Sequence, residues 1–151
     1  MNPTGKITEN FGWEEILCKG RFKGGVHEGR ECEIPEAAQI KIRLLVSRVL
    51  QPLRSALGVP IKITSGYRCP AHNRACGGAR HSQHMKGTAA DIRVPALEIK
   101  CLHKVLDLHM RNCNRLGPGG MGLYLRGDRR DDWGFIHIDI RATERAVRWP
   151  G

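Results

Sequence analysis

The chain has 151 residues, 40% hydrophobic, 26% charged and 5% aromatic, which predicts one domain and excludes a disordered polypeptide. No apolar run approaches the roughly 20 residues of a transmembrane helix, so we expect no membrane span. With 25 Lys and Arg against 15 Asp and Glu, the net charge of +10 favours polyanionic partners such as nucleic acid, anionic wall polymer or lipid headgroups.

The N-terminal part of the sequence shows little periodicity. We expect residues 1–34 to form an irregular segment packed on a single domain that spans residues 1–151. The N-terminus also has no apolar stretch of signal-peptide length. This indicates cytoplasmic synthesis, with exit from the cell by another route, or a leader that has been removed.

A long amphipathic helix is predicted to begin at Pro35, because proline suits a first helical turn. Apolar residues recur along one face at a spacing of three and four: Ile42, Leu45, Val49, Leu53 and Leu57. Pro52 should kink or divide the helix, since it lacks a backbone N–H. Gly58 and Pro60 are expected to end it.

Short strands and a second helix are predicted in the rest of the chain. Apolar and polar residues alternate at 59–64, 89–94 and 134–141, and the polar loop at 65–87 has the length of a functional segment. A second helix is predicted from about residue 96 to 112. Its predicted buried face consists of Leu97, Cys101, Val105 and Leu108. This order predicts an α+β fold, with a small antiparallel sheet and flanking helices.

Three polar side chains are candidates for chemistry. His84 ends the long loop, Asp91 lies in the second strand, and His137 lies on the polar face of the last strand. Two imidazoles and a carboxylate suit Zn²⁺ and leave a fourth position for water, which is the arrangement of a metal-dependent hydrolase. Taken singly, each residue is better explained by a structural contact, such as an ion pair of Asp91 with Arg68 or Arg93.

The surrounding motifs favour the metal site. Residues 82–91 read SQHMKGTAAD and match all five fixed positions of the S-x-H-x-x-G-x-A-x-D signature of zinc D-Ala-D-Ala carboxypeptidases, peptidase family M15. The segment ITSGYRCP at 63–70 resembles the family's S-G-Y-R segment. GMGLY at 120–124 and FIHID at 135–139 resemble motifs of a small single-domain subgroup of phage and bacterial wall peptidases. The likeness extends from about residue 7 to residue 149, and the family shares its zinc site with the hedgehog signalling domain.

The resemblance implies one Zn²⁺ per chain, held by His84, Asp91 and His137. It also implies that Arg68 binds substrate or stabilises the oxyanion, which suits a permanent cation. Ser82 matches a signature serine near the substrate. Because no base partner accompanies Ser82, we expect it to donate or accept hydrogen bonds rather than act as a nucleophile.

The general base departs from the family's usual pattern. Many relatives carry a Glu three residues before the last ligand, where this chain has Gly134. Asp139, on the same strand face as His137, is the predicted replacement, although it could instead be the third zinc ligand. Asp131 and Asp132 are further candidates for the base, but their arginine neighbours favour a solvated charged turn.

The predicted function is zinc-dependent hydrolysis of a peptide bond in bacterial peptidoglycan. An endopeptidase is favoured over a D,D- or L,D-carboxypeptidase, and the missing leader fits a phage endolysin released to the cell wall during lysis. The positive charge would assist adhesion to anionic wall polymer. A catalytically silent zinc-containing binding module is the alternative. Nucleic acid is not an expected partner, because the basic residues are dispersed and few aromatic residues can stack on bases.

The six cysteines form neither a C-x-x-C pair nor the spacing of a zinc ribbon. Cys69 and Cys76 bracket a short loop and are compatible with a disulfide or with two thiols. Cys18, His27 and Cys32 could supply a second metal site, but three ligands without compact spacing favour plain structural use. In a chain without a leader, we expect most thiols to be free and partly buried.

Overall fold

The computed structural model describes residues 2–21, 26–27, 32–112, 119–125 and 134–150. Its strands are β1 (Lys62–Ser65), β2 (Ala89–Arg93), β3 (Gly120–Tyr124), β4 (Phe135–Asp139) and β5 (Val147–Pro150). Its α-helices are α1 (Trp13–Ile16), α2 (Glu36–Leu45), α3 (Gln51–Leu57), α4 (Pro70–Ala75) and α5 (Ile99–Asn112). The five strands form one sheet beside these helices, which confirms the predicted α+β class. No described helix has the length and apolar character that crossing a membrane requires.

The strand order in the sheet is β1-β2-β4-β3-β5. The first three pairings are antiparallel, as predicted, but β5 lies parallel to β3 and makes the sheet mixed. The sequence patterns do not predict β3 or β5. β5 reads VRWP, which is too short for its alternation of apolar and polar residues to identify a strand, and its Pro150 removes a backbone donor that an edge strand can spare.

The predicted helix at 35–57 is a continuous helical run that widens before Pro52. A π-helical segment, Val46–Leu50, joins α2 to α3. In a regular α-helix, Pro52 would leave one carbonyl without a donor, and its ring would crowd the carbonyl four residues earlier. The wider π turn before Pro52 relieves both problems. Four of the five predicted face residues are buried: Ile42, Leu45, Val49 and Leu53. Gly58 ends the run in the left-handed conformation, with φ of 67°.

The prediction of which face of the second helix is buried is wrong. The buried residues of α5 are Ile99, Leu102, Leu106 and Met110. The predicted face is instead on the outside: Leu97, Cys101, Val105 and Leu108. Two apolar stripes run along this segment at the same three-and-four spacing, so periodicity alone cannot choose between them. The buried stripe lies wholly within the helix, whereas the predicted one starts before it.

The sheet has one apolar face and one polar face. The side chains of the apolar face belong to a core shared with the helices: Ile92, Met121, Ile136 and Ile138. Side chains alternate along a strand, so Asp91, His137 and Asp139 lie on the other face. The register of β2 and β4 sets Asp91 opposite His137 and Ala89 opposite Asp139. The polar side chains are therefore fixed to the centre of the sheet.

Candidate active site

Three side chains on the polar face direct their ligand atoms to one point. His84 Nε2 lies 3.1 Å from Asp91 Oδ1 and 3.1 Å from His137 Nδ1. His137 Nδ1 lies 2.9 Å from Asp91 Oδ1. Tetrahedral zinc with bonds of about 2.0–2.1 Å needs such atoms about 3.3 Å apart. The donor set and its spacing therefore fit Zn²⁺, and the structure brings together the three predicted ligands, all buried.

His84 is oriented by the loop around it. It lies in a 3₁₀ turn, Gln83–Lys86, which begins where Ser82 Oγ accepts a hydrogen bond from the His84 backbone N–H at 3.3 Å. The ring Nδ1–H donates to the Gly66 carbonyl at 2.7 Å. This bond leaves the Nε2 lone pair available for a metal. Ser82 therefore caps the turn that carries His84, and its predicted contact with substrate stays a prediction.

Asp139 lies behind His137 rather than beside the ligand atoms. The His137 Nε2–H donates to Asp139 Oδ2 at 3.1 Å, which leaves Nδ1 free to bind a metal. Arg141 holds the buried carboxylate through Nε to Oδ1 at 2.7 Å and Nη2 to Oδ2 at 2.6 Å. Asp139 is not part of the described three-ligand group. These contacts are those of a carboxylate that orients a ligand. The roles that the sequence predicts for Asp139, general base or third ligand, stay predictions.

Arg68 pairs with the second oxygen of Asp91. Its Nη2 donates to Asp91 Oδ2 at 2.6 Å and its Nε donates to Ser65 Oγ at 2.8 Å. Because Asp91 has two oxygens, Oδ1 can face a metal while Oδ2 binds Arg68. The ion pair and the metal site, which the sequence offers as alternatives, are compatible in the structure.

The electrostatics of the three-ligand group favour a bound cation. Burial alone would raise the pKa of Asp91, but hydrogen bonds from His137 and His84 outweigh it and hold that pKa well below its ordinary value. Burial would lower the pKa of His137, but hydrogen bonds to Asp139 and Asp91 raise it. A cation at the shared point is therefore electrostatically favoured.

The ligand group opens into a cleft of about 420 Å³. Its aromatic side includes Trp149, whose Nε1–H donates to Tyr124 Oη at 2.9 Å, and Phe135, which stacks on Tyr124. The two glycines of the G-x-G motif in β3 leave space for the side chains next to the cleft. A Cβ at Gly120 would overlap the Asp139–Arg141 pair, and one at Gly122 would overlap Trp149.

A comparison with protein-family models matches residues 9–139 to the model described as peptidase M15. The chain belongs to the peptidase M15 family. This confirms the prediction made from the motifs. M15 peptidases are zinc-dependent in general, so membership and the His/Asp/His group together indicate a hydrolase of the metallopeptidase type. No curated protein matches the sequence.

Sequence reasoning missed three side chains of this M15 site: Tyr124, Arg141 and Trp149. Arg141 could have been found, because it follows Asp139 by two residues in the same extended segment. Trp149 gives no such signal, since it depends on the parallel β5. The alternative bases Asp131 and Asp132 lie outside the described residues.

Gly66 is predicted to tolerate no side chain. A Cβ there would overlap the Ile16 carbonyl oxygen and lie 2.7 Å from the Ile16 Cα, and backbone cannot move aside as a side chain can. We expect Gly66→Ala to lower the free energy of unfolding by about 2–3 kcal/mol in urea titrations. It should also weaken zinc binding, because the Gly66 carbonyl orients His84.

Gly12→Ala is the matched control for this prediction. A Cβ at Gly12 would be 3.4 Å from the Gly5 carbonyl oxygen, an ordinary contact distance. Urea titration of both variants, with zinc affinity measured against a competing chelator, separates the two cases. Equal stability of Gly66→Ala and Gly12→Ala would contradict the argument.

Proposed function

We propose that the chain is a zinc-dependent peptidase that hydrolyses a peptide bond of bacterial peptidoglycan, as a phage endolysin does. The observation that carries the proposal is the open three-ligand group. Among the described residues, His84, Asp91 and His137 form the group, and all three line the cleft. Structural zinc sites are closed by four protein ligands, whereas catalytic ones keep one position for water or substrate.

When bound, zinc supplies Lewis acidity that activates water near neutral pH and polarises the scissile carbonyl. The protein contributes orientation and charge. Asp139 and Arg141 hold His137 with its Nδ1 toward the cleft. Arg68 fixes Asp91 and presents a permanent positive charge in the cleft, where negative charge develops on the carbonyl oxygen.

The contacts of the arginines favour an endopeptidase. A carboxypeptidase needs a cation for the terminal carboxylate of its substrate. In the described part of the cleft, Arg68 pairs with Asp91 and Arg141 with Asp139. The charge that Arg68 keeps beside Asp91 suits the partial charge of a scissile carbonyl oxygen better than the full charge of a second carboxylate. Cleavage within a stem or cross-link places no terminal carboxylate next to the scissile bond, so it agrees better with these pairs.

The net charge of +10 supports a role for anionic wall polymer in adhesion. Adhesion by dispersed surface charge is screened by salt, because the Debye length falls to about 3 Å at 1 M ionic strength. Sedimentation with purified walls at increasing salt tests this part of the proposal. Retention unchanged by salt would exclude charge as the means of adhesion.

Metal removal tests the enzymatic proposal. Purified peptidoglycan is incubated with untreated protein, with chelator-treated protein, and with treated protein to which zinc is returned. We expect release of new amino groups to stop on chelation and to recover with zinc, because zinc would supply the Lewis acidity that activates water and polarises the carbonyl. Mass analysis of the fragments identifies the bond. Hydrolysis that survives complete zinc removal would refute the proposal.

The second candidate function is a catalytically silent zinc-containing module. The observation in its favour is that Asp91 is the sole carboxylate among the described residues lining the cleft, and Asp91 is occupied by Arg68 and the ligand group. Wall sedimentation without release of amino groups would support this module and exclude the peptidase.

A further inference from the structure

A second cluster of metal-binding side chains lies away from the cleft. Cys18, His27, Cys32 and Cys69 each offer one ligand atom, and these four atoms all lie within 4.8 Å of one another. Cys18 and Cys69 are buried, while His27 and Cys32 are half-buried. None of the four lines the cleft. Cys18, His27 and Cys32 are close together in the sequence, whereas the fourth member, Cys69, comes from a distant part of the chain.

We propose that this Cys₃His cluster binds a structural Zn²⁺, so that the chain carries two zinc ions. Three thiolates and one imidazole are a preferred donor set of structural zinc. With Zn–S bonds of about 2.3 Å and a Zn–N bond of about 2.0 Å, the ligand atoms of a tetrahedral site lie about 3.5–3.8 Å apart. Small side-chain rotations bring atoms within 4.8 Å to that spacing.

The backbone around the cluster positions its members. The His27 backbone N–H donates to the Gly20 carbonyl at 2.8 Å, which holds His27 next to Gly20. A Cβ at Gly20 would lie 3.1 Å from the His27 ring, so this approach favours glycine. On the other side of the cluster, the Asn2 side chain donates to the Cys32 carbonyl at 3.0 Å.

Contacts to the sulfur atoms are those that suit thiolates. The His72 backbone N–H donates to Cys69 Sγ at 3.3 Å, and Cys18 Sγ lies 3.2 Å from His72 Nδ1. His27 Nε2 lies 2.8 Å from Cys69 Sγ, a contact between two proposed ligands that would lengthen to about 3.5 Å around a shared zinc ion. Hydrogen bonds to ligand atoms orient them and stabilise their charge. His72 therefore supports the site without belonging to the four-ligand group.

A disulfide accounts for the cluster less well than a metal does. All five described cysteines are free thiols, and Cys69 faces His27 while Cys76 is exposed. A disulfide between any two of the three clustered sulfur atoms would not explain why the third thiol and the imidazole lie beside them. A tetrahedral cation engages all four groups at once.

The proposed zinc ion would also affect the cleft, because its ligand Cys69 is next to a residue that lines the cleft. Cys69 follows Arg68 directly and begins α4 as its N-cap. Cys18 follows α1, and the Tyr67 N–H donates to the Ile16 carbonyl at 2.8 Å. A zinc ion would therefore join the N-terminal segment to the loop that carries Arg68.

Metal stoichiometry and cobalt spectroscopy test the proposal. We expect two zinc ions per chain in wild type and one in His84→Ala. Cobalt(II) exchanged into His84→Ala should show the intense near-ultraviolet thiolate-to-cobalt charge-transfer band of a Cys₃His site. Cys32→Ser should retain one zinc ion, in the His/Asp/His group, and should lose most of that band. The exposed-thiol variants Cys76→Ser and Cys101→Ser are the controls and should retain two ions.

Thiol titration of the folded wild type keeps the proposal testable if Cys32→Ser does not fold. A mercurial reagent should release one zinc ion as it consumes the three thiols of the cluster, whereas reaction of the other three cysteines, Cys76, Cys101 and Cys113, should release none. One zinc ion in wild type with no cobalt–thiolate band would overturn the proposal. A disulfide among Cys18, Cys32 and Cys69 in mass spectra of unreduced protein would overturn it as well.

Discussion

Replacing His84 by alanine is expected to lower kcat/KM for peptidoglycan hydrolysis by at least about a thousandfold, or about 4 kcal/mol of transition-state stabilisation. The variant loses one of three ligand atoms that lie within 3.1 Å of each other. Its zinc content should fall by one ion. Because the Gly66 carbonyl also loses its donor, stability should decrease by about 1–3 kcal/mol.

His103→Ala is the control for this variant. His103 is a half-buried histidine of α5 that does not line the cleft. Circular dichroism of both variants checks that the fold is retained, and amino-group release from peptidoglycan gives the rates. Turnover by His84→Ala within tenfold of wild type would show that the group at the centre of the cleft is not the catalytic one.

Asp139→Asn is expected to weaken zinc binding by about 10- to 100-fold and to lower activity accordingly. The present carboxylate accepts hydrogen bonds from His137 and from three nitrogens of Arg141, the backbone N, Nε and Nη2. An asparagine has one oxygen and one NH₂ group in place of two acceptors. Either the NH₂ group faces Arg141, or it faces His137 and favours the tautomer with a proton on Nδ1, where the metal should bind.

Asp107→Asn is the matched control, because Asp107 also pairs with two arginines, Arg111 and Arg148, but lies on α5 outside the cleft. Chelator competition should give Asp107→Asn a zinc affinity like that of wild type. If Asp139→Asn retains zinc affinity and loses only turnover, Asp139 is the general base predicted from the sequence. If Asp132→Asn behaves in that way, the base is Asp132.

The sequence predicts which three side chains meet in the cleft because their signals are local. His84 and Asp91 belong to one ten-residue motif, and His137 lies in a strand with a clear alternation of apolar and polar residues. The register of β2 and β4 then brings Asp91 and His137 together. A motif reports residue types and spacing, but not which nitrogen of His137 faces Asp139. The contacts of Asp139 with His137 and Arg141 are therefore visible only in the structure.

Features that depend on distant segments are not predictable in this way. Cys69 joins Cys18 and Cys32 only because the loop after β1 packs against the end of α1. Trp149 reaches the cleft through a parallel edge strand of 4 residues, which is too short to be recognised from its sequence. The buried face of α5 was predicted wrongly for a related reason. Two apolar stripes compete there, and contact with the core selects the one containing Leu106.

The register of β2 and β4 decides two things at once: which side chains of β4 enter the core and which line the cleft. A slip of β4 by one residue would turn His137 and Asp139 into the helices and expose Ile136 and Ile138 in the cleft. Such a slip would bury charge and uncover apolar surface at once. Misregistered conformations are therefore penalised twice, and selection for a stable fold is at the same time selection for a correctly assembled site.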